Sequence, residues 1–299
     1  MIAIVFPGQG AQRPGGLVPW LEVPRFADAL DRFADAAGLD LVALGTTADA
    51  ATITDTSVAQ PLIVATGIAT ARLLDLDPQQ TVWAGHSVGE LTAAALAGCL
   101  RDEDAVRLAA ERGRAMAAAS QDAPTGMSAV LGGEPTEVRA VLRALGLTPA
   151  NLNGPDQIVA AGTVEQLDAL RTAPPHGARV VALRVTGAFH SEHMRPAQER
   201  FARAVAAVRP AEPSGTLLSN ADGMPISSGA EVLARLVRQV CAPVRWDLTA
   251  SNLATLARHV VEVAPAGTLA GLLRRSAPTL DVVALRGPKD LPVTTTGHR

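Results

Sequence analysis

Cysteine and lysine are nearly missing from this chain. Cys99 and Cys241 are the only cysteines among 299 residues. They lie far apart and outside any metal-ligand spacing, so both read as reduced, buried, inert thiols. Lys289 is the only lysine, which leaves arginine to carry almost all the positive charge; no function attaches to that skew. The formal net charge is −3. Basic runs, aromatic ladders and Cys/His clusters are also wanting, which excludes a general nucleic-acid binder. Long hydrophobic runs are lacking too. The longest apolar region, Leu62 to Leu76, is broken by Thr and Arg residues and by Asp75. It falls short of the ~18 uninterrupted apolar residues of a membrane span and reads as a buried helix. The N-terminal Met1-Ile2-Ala3-Ile4-Val5-Phe6 has neither a basic n-region nor a small-residue cleavage site, so a strand is expected there rather than a signal peptide. A cytoplasmic protein is the expectation.

What is present is apolar mass. Hydrophobic residues make up 48% and charged residues 18%, enough for a sizeable core in one large domain, or one domain with a smaller insert. Ile2 to Phe6 feeds the Gly-rich turn Pro7-Gly8-Gln9-Gly10. Helix patterns cover Asp28 to Ala37 and Gln60 to Leu74. A short strand, Thr81 to Ala84, meets a tight turn at Gly85 and an Ala- and Leu-rich helix from Val88 to Ala97, which Gly98 is placed to stop. Asp102 to Ser120 is a second long helix with acidic residues in its first turn.

The pattern then changes. Strands at Met127 to Leu131, Ala150 to Asn153, Gln157 to Ala161 and Arg179 to Val185 alternate with helices at Pro135 to Leu145 and Thr163 to Arg171. That βαββαβ order is the ferredoxin-like arrangement. Breakers flank it at Asp122 to Gly126 and Thr186-Gly187. The expected fold class is α/β: an α/β-hydrolase-like large subdomain, residues 1–122 and 189–299, with a ferredoxin-like small subdomain inserted at 123–188. After the insert we expect a helix near Pro196 to Val208, a strand at Thr216 to Ser219, a helix around Ala230 to Val240, strands at His259 to Val263 and Asp281 to Leu285, and a frayed tail after Pro292.

Gly85-His86-Ser87-Val88-Gly89 is a G-x-S-x-G pattern set between a predicted strand and a predicted helix. In that setting a strained turn exposes the serine hydroxyl, glycines let backbone pass closely, and helix N–H groups face developing negative charge. Ser87 is therefore the candidate nucleophile; the bland alternative is a small residue in a packing turn. A serine needs a general base. Of six histidines, His86 points away from its neighbour, His176 reads as a solvated loop residue, His259 as a strand-end residue and His298 as part of the tail. His190 and His193 remain, just past the insert, where a junction between domains favours a site. The residues alone rank His190 only slightly ahead.

Five spaced segments occur in one order: Gly8-Gln9-Gly10-Ala11-Gln12, Gly85 to Glu90, Glu111-Arg112-Gly113 with Met116, Ala188-Phe189-His190-Ser191, and Val237-Arg238-Gln239. Together they resemble the malonyl-CoA:acyl carrier protein transacylase family, related to the acyltransferase domains of fatty acid and polyketide synthases. The resemblance runs from the start to about Leu291. It implies that Ser87 attacks a thioester with His190 as its base. The family's histidine is oriented by a backbone carbonyl, and Gln239 is the matching position. It further implies an oxyanion hole from the N–H groups of Gln9 and Val88, and a two-pronged pairing of Arg112 with the malonyl carboxylate. Without the resemblance Arg112 would read as a solvated helix arginine, like Arg107 and Arg114. Gln60, Met116, Asn153 and Phe189 match positions around the substrate; a capping amide and a turn asparagine are the plain alternatives for Gln60 and Asn153. Phe189 and Val88 match malonyl-selective members.

The implied reaction is a ping-pong transfer from malonyl-CoA to the phosphopantetheine thiol of an acyl carrier protein. It needs no metal or bound cofactor, because CoA and phosphopantetheine arrive with the substrates. Docking of an acidic carrier would call for a local basic patch, for which Arg195, Arg200 and Arg203 are candidates. The rivals are a serine thioesterase or esterase and a catalytically silent carrier-binding scaffold. No association motif is evident, so a monomer is expected.

Overall fold

A computed structural model describes residues 1–185 and 187–292. Thr186, the Thr294-Thr295-Thr296 run and His298 lie outside the described residues.

The chain opens with β1 (Ile2–Phe6), followed by α1 (Pro24–Ala37), α2 (Leu41–Thr46), α3 (Ala50–Thr54) and α4 (Thr56–Ala71). β2 (Thr81–Gly85) leads into α5 (Gly89–Leu96), and α6 (Asp102–Ala119) follows. Next come β3 (Thr125–Gly132), α7 (Pro135–Ala144), β4 (Thr148–Gly154), β5 (Gln157–Thr163), α8 (Val164–Thr172) and β6 (Ala178–Ala182). The chain then runs through α9 (Arg195–Val205), β7 (Thr216–Leu218), β8 (Pro225–Ile226), α10 (Gly229–Gln239), α11 (Trp246–Leu256), β9 (His259–Glu262), α12 (Thr268–Ser276) and β10 (Asp281–Ala284).

Two sheets result. The larger has the order β10-β9-β1-β2-β7-β8, parallel except for the antiparallel edge strand β8. Its central strands bury both faces, as parallel strands covered by helices must. Ile4 and Phe6 of β1 join a core with α1, α4, α5 and α6, while Ala3 and Val5 face Trp246, Leu253, Leu269 and Leu273 of α11 and α12. The smaller sheet is antiparallel, in the order β4-β5-β3-β6, with its own core of Val130, Val138, Leu142, Ile158 and Leu170. The free edge of β4 is stitched to the large sheet's side of the molecule: the Val244 N–H donates to Ala150 (2.9 Å) and the Leu152 N–H donates to Val244 (2.9 Å). Arg275 on α12 pairs with Asp156 of the β4–β5 turn at 2.8 Å.

Several elements depart from the sequence reading. The helix expected from Gln60 begins at Thr56, because Asp55 caps it through the Ser57 N–H and the helix tolerates Pro61 in its second turn. The first helix starts at Pro24, which occupies the favoured first helical position. β6 stops at Ala182, short of Val185. The short helices α2 and α3, and the whole of α11 and α12, were not anticipated. Cys241 is only partly buried, against expectation, yet burial pushes both thiols up to about 11, so they stay protonated and unreactive near neutrality. Among the described residues no helix is long and apolar enough to cross a membrane.

Candidate active site

The turn between β2 and α5 holds Ser87 at φ 53, in the left-handed region a non-glycine residue occupies only under constraint. Its flanking glycines are required by close approach. A Cβ on Gly85 would lie 2.0 Å from the Gly89 backbone, and one on Gly89 would lie 2.3 Å from the Phe6 carbonyl oxygen. His190, also at a positive φ of 61, enters from the loop before α9. Its Nε2 lies 2.8 Å from the Ser87 hydroxyl, and its Nδ1 lies 2.8 Å from the Gln239 backbone oxygen. A carbonyl only accepts, so Nδ1 carries the proton and donates, leaving Nε2 free to accept from the serine. Burial, reinforced by the Arg112 cation, pushes the imidazole down to about 3. At neutral pH it is uncharged and able to take a proton. His193 is exposed and has no part in this contact.

Arg112 projects from α6 into the same space and is 1% exposed. Its Nη1 donates to Gln60 Oε1 (2.7 Å), and its Nη2 donates to Gln239 Oε1 (2.9 Å) and reaches within 3.4 Å of Ser87 Oγ. These partners are all neutral, and no ion pair among the described residues includes Arg112. Its Nε has no acceptor among the described residues. Burial lowers the guanidinium to about 10, which still leaves it charged. A buried cation without a contacting anion is costly and marks a place where an anion is to come. Arg107 and Arg114 instead make partly exposed pairs with Asp104 and Glu111.

Gln9, Gln60, Val88, Met116 and Phe189 line the same cleft, together with Ser87, Arg112 and His190. Gln60 Nε2 points at the Met116 sulfur, 3.4 Å away. The Gln9 side chain is tied to Thr56, and neither the Gln9 nor the Val88 backbone N–H has a protein acceptor among the described residues. An oxyanion requires N–H groups with no acceptor of their own. Asn153 is a correction. Its Oδ1 is engaged by His86 Nε2 at 2.9 Å, and Asn151, two residues earlier on the same strand, lines the cleft instead.

The sequence reading missed a polar network beneath the elbow. The Asn220 side chain accepts from the Ser87 N–H (2.7 Å) and donates to the Gly85 carbonyl (2.6 Å). Gln239 Nε2 donates to Ser87 O, Asn220 Oδ1 and Glu90. Glu90 stood in the quoted motif without a role; Asn220 had no local signal.

A serine hydrogen-bonded to an uncharged imidazole, in a cleft that also holds a buried guanidinium with no anion in contact, has the parts of an acyl-transfer site. The comparisons agree. Residues 3–284 match the acyl transferase domain family. A Mycobacterium tuberculosis protein named malonyl CoA-acyl carrier protein transacylase is 50% identical over 299 residues, spanning 97% of this chain and 98% of that one. The crystal structure of a transacylase from that organism superposes with a TM-score of 0.93 at 49% identity, covering 97% of this chain and 98% of the other. A malonyl-transacylase solved in complex with a type II polyketide synthase acyl-carrier protein superposes at 0.89 with 28% identity, each chain covered to 97%. This chain belongs to the malonyl-CoA:acyl carrier protein transacylase family.

His190→Ala should slow formation of the acyl-enzyme at least ~100-fold, the lower end of what a positioned base contributes. His193→Ala should do far less. Rapid-quench measurement of the acyl-enzyme on both variants checks this, and the opposite order of severity would move the base to His193.

Proposed function

We propose that this chain transfers malonyl from malonyl-CoA to the phosphopantetheine thiol of an acyl carrier protein through a malonyl ester on Ser87. The observation that carries the reading is Arg112: a charged, buried guanidinium with an unpartnered Nε, 3.4 Å from the nucleophile. Ser87 Oγ attacks the thioester carbonyl as His190 Nε2 takes its proton. The oxyanion is received by the N–H groups of Gln9 and Val88. As the C–S bond breaks, the imidazolium returns the proton to the departing CoA sulfur. The carrier's thiol then gives its proton to His190 and attacks the ester, and Ser87 is restored. Gln239 supplies a neutral acceptor, which fixes the tautomer while stabilising the imidazolium less than a carboxylate would. Arg112 holds the malonyl carboxylate throughout, with Nη2 the guanidinium nitrogen that reaches within 3.4 Å of Ser87.

In fold terms we infer a hydrolase-like large subdomain interrupted at 123–188 by a ferredoxin-like one. Support comes from the parallel sheet with its serine elbow and from the βαββαβ connection with strand order β4-β5-β3-β6. For the carrier, Arg200 and Arg203 of α9 are the better candidates. Arg195 is already paired with Glu192, a correction to its place in that patch. A cytoplasmic monomer remains our reading.

Incubation with malonyl-CoA followed by intact-protein mass measurement tests the proposal. A persistent malonyl adduct that discharges onto a holo carrier protein supports transfer; rapid release of free malonate would make the protein a thioesterase, and no adduct would make it a scaffold. The acyl pocket carries a second expectation. Phe189 is buried in its lining, so Phe189→Ser should open space beside the α-carbon and raise methylmalonyl use relative to malonyl about tenfold, since one methyl is worth ~1–3 kcal/mol. Competition between the two thioesters reads the ratio, and an unchanged ratio would show that the ring does not gate the pocket.

A further inference from the structure

Glu90, in the first turn of α5, takes no part in the steps above, yet it is 2% exposed. Its carboxylate accepts from the Asn220 N–H at 2.8 Å and from Gln239 Nε2. The orientation of the Gln239 amide is settled by its surroundings: Nε2 faces three oxygens, on Glu90, Ser87 and Asn220. Its Oε1 must then turn to Arg112 Nη2, 2.9 Å away. One carboxamide therefore stands between a buried carboxylate and the buried guanidinium beside the nucleophile. Where Glu90 is ionised, its charge stands opposite that of Arg112 across the amide. An arriving acyl carboxylate gives Arg112 a second anion in a space with little water, and two like charges near one cation cannot both stay ionised cheaply.

We propose that Glu90 is the resident counter-charge of Arg112 and takes up a proton when an acyl carboxylate binds, so that the guanidinium passes from one anion to the other at constant site charge. The inference rests on the malonyl reading, which supplies the second anion. Burial already lifts the Glu90 carboxyl to about 7, against the pull of the Asn220 N–H, Arg112 and Gln239, so near neutrality it is part protonated. No other group facing it is poised in this way. His190 lies at about 3, and burial holds the His86 ring down as well. Arg235, the remaining charge acting on Glu90, is held by Asp222 and Glu231. Glu90 is a positioning residue: it acts on the substrate through Gln239 and Arg112.

The test uses the full chain carrying Ser87→Ala, which binds thioesters without reacting. Malonyl-CoA is titrated calorimetrically at pH 7 in two buffers of different ionisation enthalpy. The expected result is uptake of roughly 0.3–0.5 proton per malonyl-CoA, the part of Glu90 still ionised, with none for acetyl-CoA. In the reactive enzyme, kcat/KM for malonyl-CoA should fall as pH rises through about 7, while the acetyl profile shows no such fall. Glu90→Gln should abolish both the proton uptake and the malonyl-specific limb. Equal heats in both buffers, or uptake that persists in Glu90→Gln, would overturn the proposal. A Glu90 that served only the fold would depress both thioesters alike at every pH, and that result would also overturn it. If malonyl-CoA binds no more tightly than acetyl-CoA, the malonyl reading itself fails, an outcome separable from the others.

Discussion

Ser87→Ala protein mixed with malonyl-CoA should show no mass adduct and no transfer to a carrier protein. The variant lacks the oxygen that bonds to the acyl group, and loss of a serine nucleophile costs on the order of 10⁶ in kcat in the well-measured hydrolase case. The fold should survive. Alanine meets about the same strain as serine at φ 53, and the turn stays anchored by the Asn220 contacts to the Ser87 N–H and the Gly85 carbonyl. The hydroxyl's bond to His190 and its longer contact with Arg112 Nη2 are lost, together worth about 1 kcal/mol. Intact mass together with a melting curve makes the measurement. An undiminished adduct on a folded variant would remove Ser87 from its role.

Arg112→Ala should lower kcat/KM for malonyl-CoA by tens- to thousands-fold. Truncating one member of a buried charge pair costs about 2–5 kcal/mol, and ~1.4 kcal/mol corresponds to a factor of ten. Acetyl-CoA brings no carboxylate, so its weak transfer should persist or improve. Arg112→Lys should restore malonyl activity only in part. A point charge cannot present the Nε–Nη2 edge or hold Gln60 and Gln239 together, as the guanidinium does at 2.7 and 2.9 Å. Both thioesters should be run on both variants. Equal losses would assign Arg112 to the fold or to the CoA moiety; no loss would return it to an ordinary helix arginine.

The elements that carry their own signal were readable in the sequence. β1 is an apolar run closed by Pro7 and Gly8, and the serine elbow is a strand, a Gly-bounded serine and an Ala-rich helix. The strands and helices of the smaller, antiparallel sheet announce themselves by a change of pattern. The three aspartates that cap α2, α3 and α4, namely Asp40, Asp49 and Asp55, were also legible as N-cap signals and went unread. What could not be read depends on contacts between distant segments. Asn220 meets Ser87 across 133 residues and Gln239 meets Glu90 across 149. No local pattern separates such an asparagine or glutamine from a surface one. The choice between Asn151 and Asn153 failed for a related reason. The pairing of β4 is irregular between Leu152 and Gly154, at Asn153 itself, so simple alternation along the strand does not say which asparagine reaches the cleft. Arg112 shows how little local context says: Arg107, Arg112 and Arg114 share one helix, and only the middle one meets the interior.

The stitching of the β4 edge to Val244 makes the cleft a slot of fixed gauge. One jaw is pinned to the other by main-chain bonds a few residues from Gln239, with the Arg275–Asp156 pair as a second rivet. Prying the jaws apart would strand backbone N–H and C=O groups, which proteins rarely tolerate. Width is therefore set when the chain folds rather than when a guest arrives, and the slot works as a caliper. On the route proposed through Ser87, both thiols must reach the same depth, one after the other, and a slot of set width holds that depth the same for each.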